Sequence, residues 1–341
     1  AAAAAAAAPG GRALGYEAVQ VCRGANALDH CVFMPGGMVD ERAVLGSCSL
    51  AHHRSYFPPL AVHSGSVRGR ATHLRDHTAT KKLQALEDKA MHALDSPLIW
   101  WRFNAVLVAL AVFASPLTEA MWVLTFLAVS AVWDPEEHGV ALLVLVVPLV
   151  HFAISVLEML GQICCKWVIM GRFKAGDHPF FGDYHYRWMA LMIIGQGAQD
   201  MTAILGGTVF NAWFYRANGA RVGRNCYLAG LVVEYDLLEI GDGVAIGLDC
   251  DTTCHTVENM VIKLAPTRIE RGACLLPGSF AMPGTVVEEE AVLLEHSQVL
   301  KGETVPRREV WAGMPAARCD PRTLGRAPAP SAPPAARPPA G

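Results

Sequence analysis

Charge of either sign is scarce in this chain of 341 residues: Asp, Glu, Lys and Arg make up 17% of it and the formal net charge is −3. No basic field exists of the kind that holds a nucleic acid, so DNA and RNA are excluded as partners. A disulfide framework is also lacking. The ten cysteines include the adjacent Cys164 and Cys165 and otherwise fall without regular spacing, which argues against a secreted, disulfide-stapled design and for a reducing compartment. No Gly-x-Ser-x-Gly or other nucleophile signature occurs, which disfavours a covalent enzyme intermediate. Gly241, Gly243 and Gly247 are spaced as turn glycines and not as a phosphate-cradling loop. The opening Ala-rich stretch, 1–14, has neither the charged flank nor the Leu/Val core of a signal peptide, and it starts without Met. With the Ala/Pro-rich stretch 321–341 it reads as low-complexity and disordered, and the sequence is expected to be a piece of a longer protein.

Hydrophobic residues, by contrast, make up 52% of the chain, and they carry an unusual rhythm. Ile269, Leu275, Ala281, Val287, Leu293, Val299 and Val305 stand one every six positions. That period is neither helical nor that of a simple strand, and it marks a β-solenoid of hexapeptide repeats in which each hexad turns one residue into a shared core. The same beat runs through Val21, Ala27, Phe33, Val39 and Leu45, and in fragments through Val222, Leu228, Ile240 and Ile246. The chain is therefore expected to hold two solenoids, a partial one over 15–71 and a second over 216–320.

The middle of the chain is different. An amphipathic linker helix is expected over 72–97, with Leu83, Leu86 and Ala90 on one face, ending at Ser96-Pro97. Two long apolar runs follow within 98–170, one after Arg102 and one from Gly139 to Cys165, each exceeding the ~20 residues needed to span a bilayer. Ser115-Pro116 makes the first either a tight hairpin or one long kinked span. Trp100, Trp101, Trp122, Trp133 and Trp167 sit near the run ends, as interfacial belts do. Lys and Arg cluster before the first run and after the second, while Asp134 to His138 between them is acidic. The positive-inside rule then gives an integral membrane protein with an even number of crossings and both solenoids cytoplasmic. Residues 171–215 are expected as interfacial helices, since Trp188 to Tyr215 is apolar but broken by Gly195, Gly197, Gly206 and Gly207. His151 and Glu158 inside the second run are read as an interhelical partner and an interface-end residue.

The second solenoid's rhythm breaks twice, at Gly230 to Glu239 and at Cys254 to Pro266, and solenoid insertions often gather on one face to build a site. The second break carries His255, with Asp251 four residues before it and Glu258 three after. Imidazole can take a proton from an attacking amine or hydroxyl near neutral pH, and either carboxylate could orient the ring. A solvent-exposed histidine on a mobile loop is the plain alternative. Cys250, Cys254 and His255 crowd together but lack a fourth ligand, so no metal is expected.

Several runs carry a family resemblance. Lys301 to Ala316, KGETVPRREVWAGMPA, resembles the closing coil of left-handed β-helix acyltransferases. GRFKAGDHPFFGDYHYRW (171–188), NAWFYRANGARVGRNCYLAG (211–230) and HTVENMVIKLAP (255–266), together with the order of apolar helices, resemble the C-terminal region of poly-lysine-synthetase-like nonribosomal peptide synthetases. The resemblance covers about Ala18 to Cys319. It implies a mainly β chain with membrane helices: two left-handed parallel β-helices separated by transmembrane helices, the second transferase-like. It implies an acyl- or aminoacyltransferase with His255 as base and Glu258 beside it, acting on a pantetheine thioester on a carrier protein or coenzyme A. An upstream adenylation and carrier module would then be a partner, and the β-helices would pair as a trimer or within the chain. The first solenoid has neither the Pro-Ala seen at Pro315-Ala316 nor a His-Thr-x-Glu stretch, so only the second is expected to be catalytic. Charged residues at small positions, Glu270 and Glu288, keep a non-catalytic scaffold at the membrane as the competing expectation. A membrane carrier with regulatory solenoids is disfavoured, since two crossings are too few for a transport path.

Overall fold

The computed structural model describes residues 17–28, 30–67, 70–76, 81–132, 135–230 and 232–320; the two low-complexity ends lie outside them. Both hexad regions form parallel coils. Val287 pairs with Ile269 on one side and Val305 on the other, partners eighteen positions apart, so three hexads complete one turn. In the first solenoid Val39 pairs in the same way with Val21 and Phe57. Ile269, Ala281, Val287, Leu293, Val299 and Val305 have no exposed surface, nor do Val39, Leu45 and Ala51. Each such burial stabilises by roughly 1.5–3 kcal/mol for a Val- or Leu-sized side chain. Val21, in the outermost described coil of the first solenoid, is 53% exposed because no described coil stacks beyond it.

The corners are as periodic as the core. Gly272, Gly278, Gly284, Glu290, His296, Gly302 and Arg308 all have left-handed backbone, again one every six. Glycine takes this conformation freely, whereas Glu290, His296 and Arg308 each bear a cost of about 1–2 kcal/mol. The coil stacking offsets it.

Several boundaries differ from expectation. The first solenoid does not end at residue 71: Ala61–Val67 and Arg70–Asp76 form an antiparallel hairpin that closes it, because an end coil must cover its open edge. Helix α1, Lys81–Leu94, follows. The first apolar run is one continuous helix, α2 (Pro97–Val132), through Ser115-Pro116. Helix α3 (Pro135–Ile169) starts inside the acidic island. The expected interfacial region contains a strand, Gly176–Pro179, then α4 (Asp183–Ile204) and α5 (Val209–Ala217). Helix α4 packs on α2 and α3, so it belongs to their bundle. Helix α5 covers the first coil of the second solenoid with Ala212, Phe214 and Tyr215 buried. Among the described residues, one helical stretch, Val144–Ile169, is long and apolar enough to cross a membrane.

The two solenoids touch. Asn26 Nδ2 donates to Asn259 Oδ1 at 2.7 Å, and the Ser66 amide donates to the Met314 carbonyl at 3.1 Å. Gly65 permits the second contact: a Cβ there would stand 2.5 Å from the Met314 carbonyl oxygen. Helix α1 bridges the pair, its buried Glu87 reached by Arg42 at 2.5 Å and by Asn259 Nδ2 at 3.3 Å.

The corner geometry makes a prediction. At Gly278, φ is +69° and a Cβ would lie 2.5 Å from His296 Nδ1. Gly278→Ala should destabilise the second solenoid by about 1–2 kcal/mol from the backbone alone. A thermal melt of the purified chain checks this; an unchanged midpoint would contradict the corner assignment.

Candidate active site

Both breaks in the rhythm are structured. The first, Gly230 to Glu239, carries a short 3-10 helix, Tyr235–Leu237. The second is not a loop: His255–Glu258 and Val261–Leu264 form an antiparallel hairpin around Asn259 and Met260, both at positive φ as a two-residue hairpin turn requires. Strand Gly176–Pro179, just beyond α3, adds to the hairpin's outer edge.

The two breaks meet at His255. Its Nδ1 lies 2.9 Å from Oε1 of Glu234, a carboxylate with no exposed surface, and its own side chain is 17% exposed. Glu234 also accepts from Trp188 Nε1 at 2.8 Å and from the Cys254 amide at 3.1 Å. The Trp188 ring, from α4, stands edge-on to the imidazole at 4.9 Å. Burying a carboxylate is costly unless it is well supplied with donors, and Glu234 is. A carboxylate at this distance favours a proton on Nδ1 and stabilises the imidazolium electrostatically.

Of the three residues expected at the site, two come together. Asp251 lies close enough to His255 to feel its charge; burial pushes the Asp251 carboxyl up, against hydrogen bonds from Thr253 that lower it. Its Oδ1 accepts the Thr253 amide at 2.8 Å. Glu258 is the correction. Residues alternate across a strand, so Glu258 and Thr256 face away from the side His255 occupies. Glu258 takes Lys263 Nζ at 2.7 Å and Lys301 Nζ at 3.2 Å, and Lys301 also donates to Thr256 Oγ1 at 2.7 Å. The carboxylate set against the imidazole is therefore Glu234. Nothing in the hexad pattern pointed to Glu234, although an acid within the apolar stretch Leu231 to Leu238, at a break in the rhythm, was a legible sign.

Glu258 lines a cleft of about 290 Å³ between the solenoids, walled by Leu28, Val44, Val62 and Leu74 on one side and Met282 and Leu300 on the other. Cys250 and Cys254 are buried; burial pushes the Cys254 thiol up to about 12, and Cys250 Sγ lies 3.1 Å from the Leu276 carbonyl. Among the described residues no three His, Cys, Asp or Glu converge as metal ligands would.

No protein-family model matches the chain. It is 25% identical over 161 residues to the delta-poly-L-ornithine synthetase of Acinetobacter baumannii (strain AB307-0294), covering 44% of this chain and 12% of that protein. The chain thus spans about an eighth of that relative's length. Among solved structures it resembles a hexapeptide-repeat acetyltransferase of Vibrio cholerae O1 biovar eltor complexed with acetyl coenzyme A, at 13% identity and TM-score 0.30 over 36% of this chain and 84% of that one. A maltose O-acetyltransferase of Clostridium difficile 630 matches at 12% identity and TM-score 0.30 over 45% and 95%.

The Glu258 cluster predicts an acid sensitivity. Burial opposes ionisation of Glu258, but the Lys301 and Lys263 ammonium groups outweigh it and hold the carboxyl at about 2, below its ordinary 4.5. A folded-state value below the unfolded one means the stabilisation is complete above pH 4.5 and is lost as pH falls toward 2. Its size is roughly 3 kcal/mol. Melting between pH 5 and pH 3 should show a steeper loss for wild type than for Glu258→Gln; parallel curves would contradict the assignment.

Proposed function

We propose that this chain is a membrane-anchored acyl- or aminoacyltransferase in which His255, oriented by Glu234, assists attack of an amine on a thioester. The observation that carries the reading is the buried Glu234 carboxylate at 2.9 Å from His255 Nδ1. The amine nitrogen adds to the thioester carbon and loses a proton to His255 Nε2. Collapse of the tetrahedral intermediate breaks the C–S bond, and the proton passes to the departing sulfur as the thiol leaves. Backbone amides of the inserted hairpin are the proposed support for the oxyanion. Asp251 is assigned the lesser role of stabilising the imidazolium. Glu258, on the opposite face, is assigned to the cleft.

The donor is proposed to be a pantetheine thioester, on a carrier protein or on coenzyme A. The partial match to a poly-ornithine synthetase supports an aminoacyl donor delivered by an upstream adenylation and carrier module.

The membrane reading is supported by α2 and α3 as a helical hairpin between two solenoids that touch each other, which favours placing both on one side. Helix α5 presents Val209, Phe210 and Trp213 outward at 62%, 54% and 59% exposure. Its end is held to that of α3 by Trp167 Nε1 donating to the Ala217 carbonyl at 2.8 Å. These side chains are proposed to sit at the interface beside the end of α3.

Two tests follow. With the full chain in detergent, a pantetheine thioester donor and an amine acceptor, His255→Ala should lower thiol release by roughly 10²- to 10⁴-fold. Glu234→Gln should lower it by about 10²-fold, and Glu258→Gln by less. Wild-type rates from His255→Ala would move the reading to a non-catalytic scaffold. For the topology, single cysteines in a cysteine-free background should label from outside within 134–138 and from the cytoplasmic side at Lys301. Labelling of the two solenoids from opposite sides would overturn it.

A further inference from the structure

The first break in the second solenoid carries two buried carboxylates, and the proposed function uses only one of them. Glu234 faces His255. Asp236, two residues on and across the 3-10 helix, faces the opposite way, into the end of α3. There its Oδ2 lies 2.7 Å from Nζ of Lys166, with side-chain exposures of 8% and 2%. The Lys166 ammonium also sits over the Trp167 ring, 3.6 Å from its centroid. The Phe173 amide donates to the same Asp236 oxygen at 3.1 Å. Gly219 makes room for the carboxylate, since a Cβ there would stand 2.3 Å from Asp236 Oδ1. Between the two acids, Tyr235 is clasped edge-on by Phe214 and Tyr215, and the Tyr215 hydroxyl donates to the Gly230 carbonyl at 2.7 Å.

We propose that Lys166 and Asp236 are positioning residues: their ion pair fixes the 3-10 turn against α3 and so sets Glu234 against His255. The inference rests on His255 acting as the base, and it assigns the end of the apolar helix a role in tuning that base. Lys166 lines a cavity of about 60 Å³ together with Gln162, Tyr215 and Tyr235, so the lysine side of the turn is not filled by packing. Removing Lys166 leaves a buried carboxylate without its cation, which is strongly unfavourable, and the turn must shift to let Asp236 reach water. Glu234, two residues back at the start of the same turn, moves with it. The charged groups facing His255 are Glu234 from the first break and Asp251 from the coil before the hairpin; α4 presents the Trp188 ring. Loss of Glu234 from that set leaves the imidazolium less stabilised.

The test reads His255 itself. In the detergent-solubilised full chain, carbethoxylation of His255 by diethyl pyrocarbonate is followed against pH by peptide mass spectrometry, alongside turnover. Lys166→Met should lower the midpoint of His255 modification by about one pH unit, with kcat down about tenfold and KM unchanged. Lys166→Arg should restore much of both. Because Lys166→Met strands a buried charge, the double variant Lys166→Met/Asp236→Leu, which removes both charges together, is the second arm and should show the same lowered midpoint. A wild-type midpoint in the folded double variant overturns the proposal. If His255→Ala retains full turnover while the double variant still shifts the midpoint, the catalytic reading fails and the positioning stands.

Discussion

A carboxylate without exposed surface has to be supplied with donors from inside the protein, and the supply of Glu234 organises the interrupted face of the second solenoid. Its three neighbours come from separate places: Trp188 from α4, the Cys254 amide from the end of a coil, and His255 from the inserted hairpin. None of these segments could sit elsewhere without leaving a buried charge short of partners, a deficit of several kcal/mol. The requirement explains why two interruptions far apart in sequence converge. It also explains why α4 packs with α2 and α3 instead of lying flat: its Trp188 must reach the solenoid.

The part of the fold readable from sequence is the part governed by local repetition. One inward residue per hexad and one left-handed corner per hexad are conditions each repeat meets alone, so Ile269 to Val305 displayed them without reference to any distant residue. The two breaks were visible for the same reason, as places where the condition lapses. What filled them was not visible. A histidine among acids is chemically conspicuous, which makes His255 a candidate with Asp251 and Glu258 as possible partners, but strand alternation turns Glu258 to the far face and Glu234, from the other break, stands at Nδ1. A reading of Cys254 to Pro266 as a loop carries no faces, so it could not have separated the two. Glu234, Trp188, Lys301 and Lys263 owe their roles to contacts over long separations, which periodicity does not encode.

The contact between the solenoids constrains the helices that join them. The Asn26–Asn259 bond and the Ser66–Met314 bond place the closing edge of the first solenoid beside the hairpin and the last coil of the second. A chain that leaves one solenoid, runs through α2 and α3 and returns to the other must therefore reverse direction in between, and α2 and α3 pack against each other accordingly. The same contact creates the cleft lined by Glu258, so the first solenoid contributes a wall to the second.

A single inserted turn thus faces two environments. Glu234 addresses the hairpin that grows from the coil, and Asp236 addresses the end of the apolar helix, with Tyr235 locked between them by Phe214 and Tyr215 of α5. A lysine near the end of an apolar helix would ordinarily extend its ammonium toward water. Lys166 instead turns inward to Asp236, and so exchanges hydration for one ion pair and the face of Trp167. That exchange is favourable only if the solenoid is docked on the helix end, because the acid, the Phe173 amide and the space left by Gly219 all belong to the docked arrangement. The docking of the helices and the alignment of the histidine are in this sense one structural event, since neither acid of the turn can be satisfied while the other is displaced.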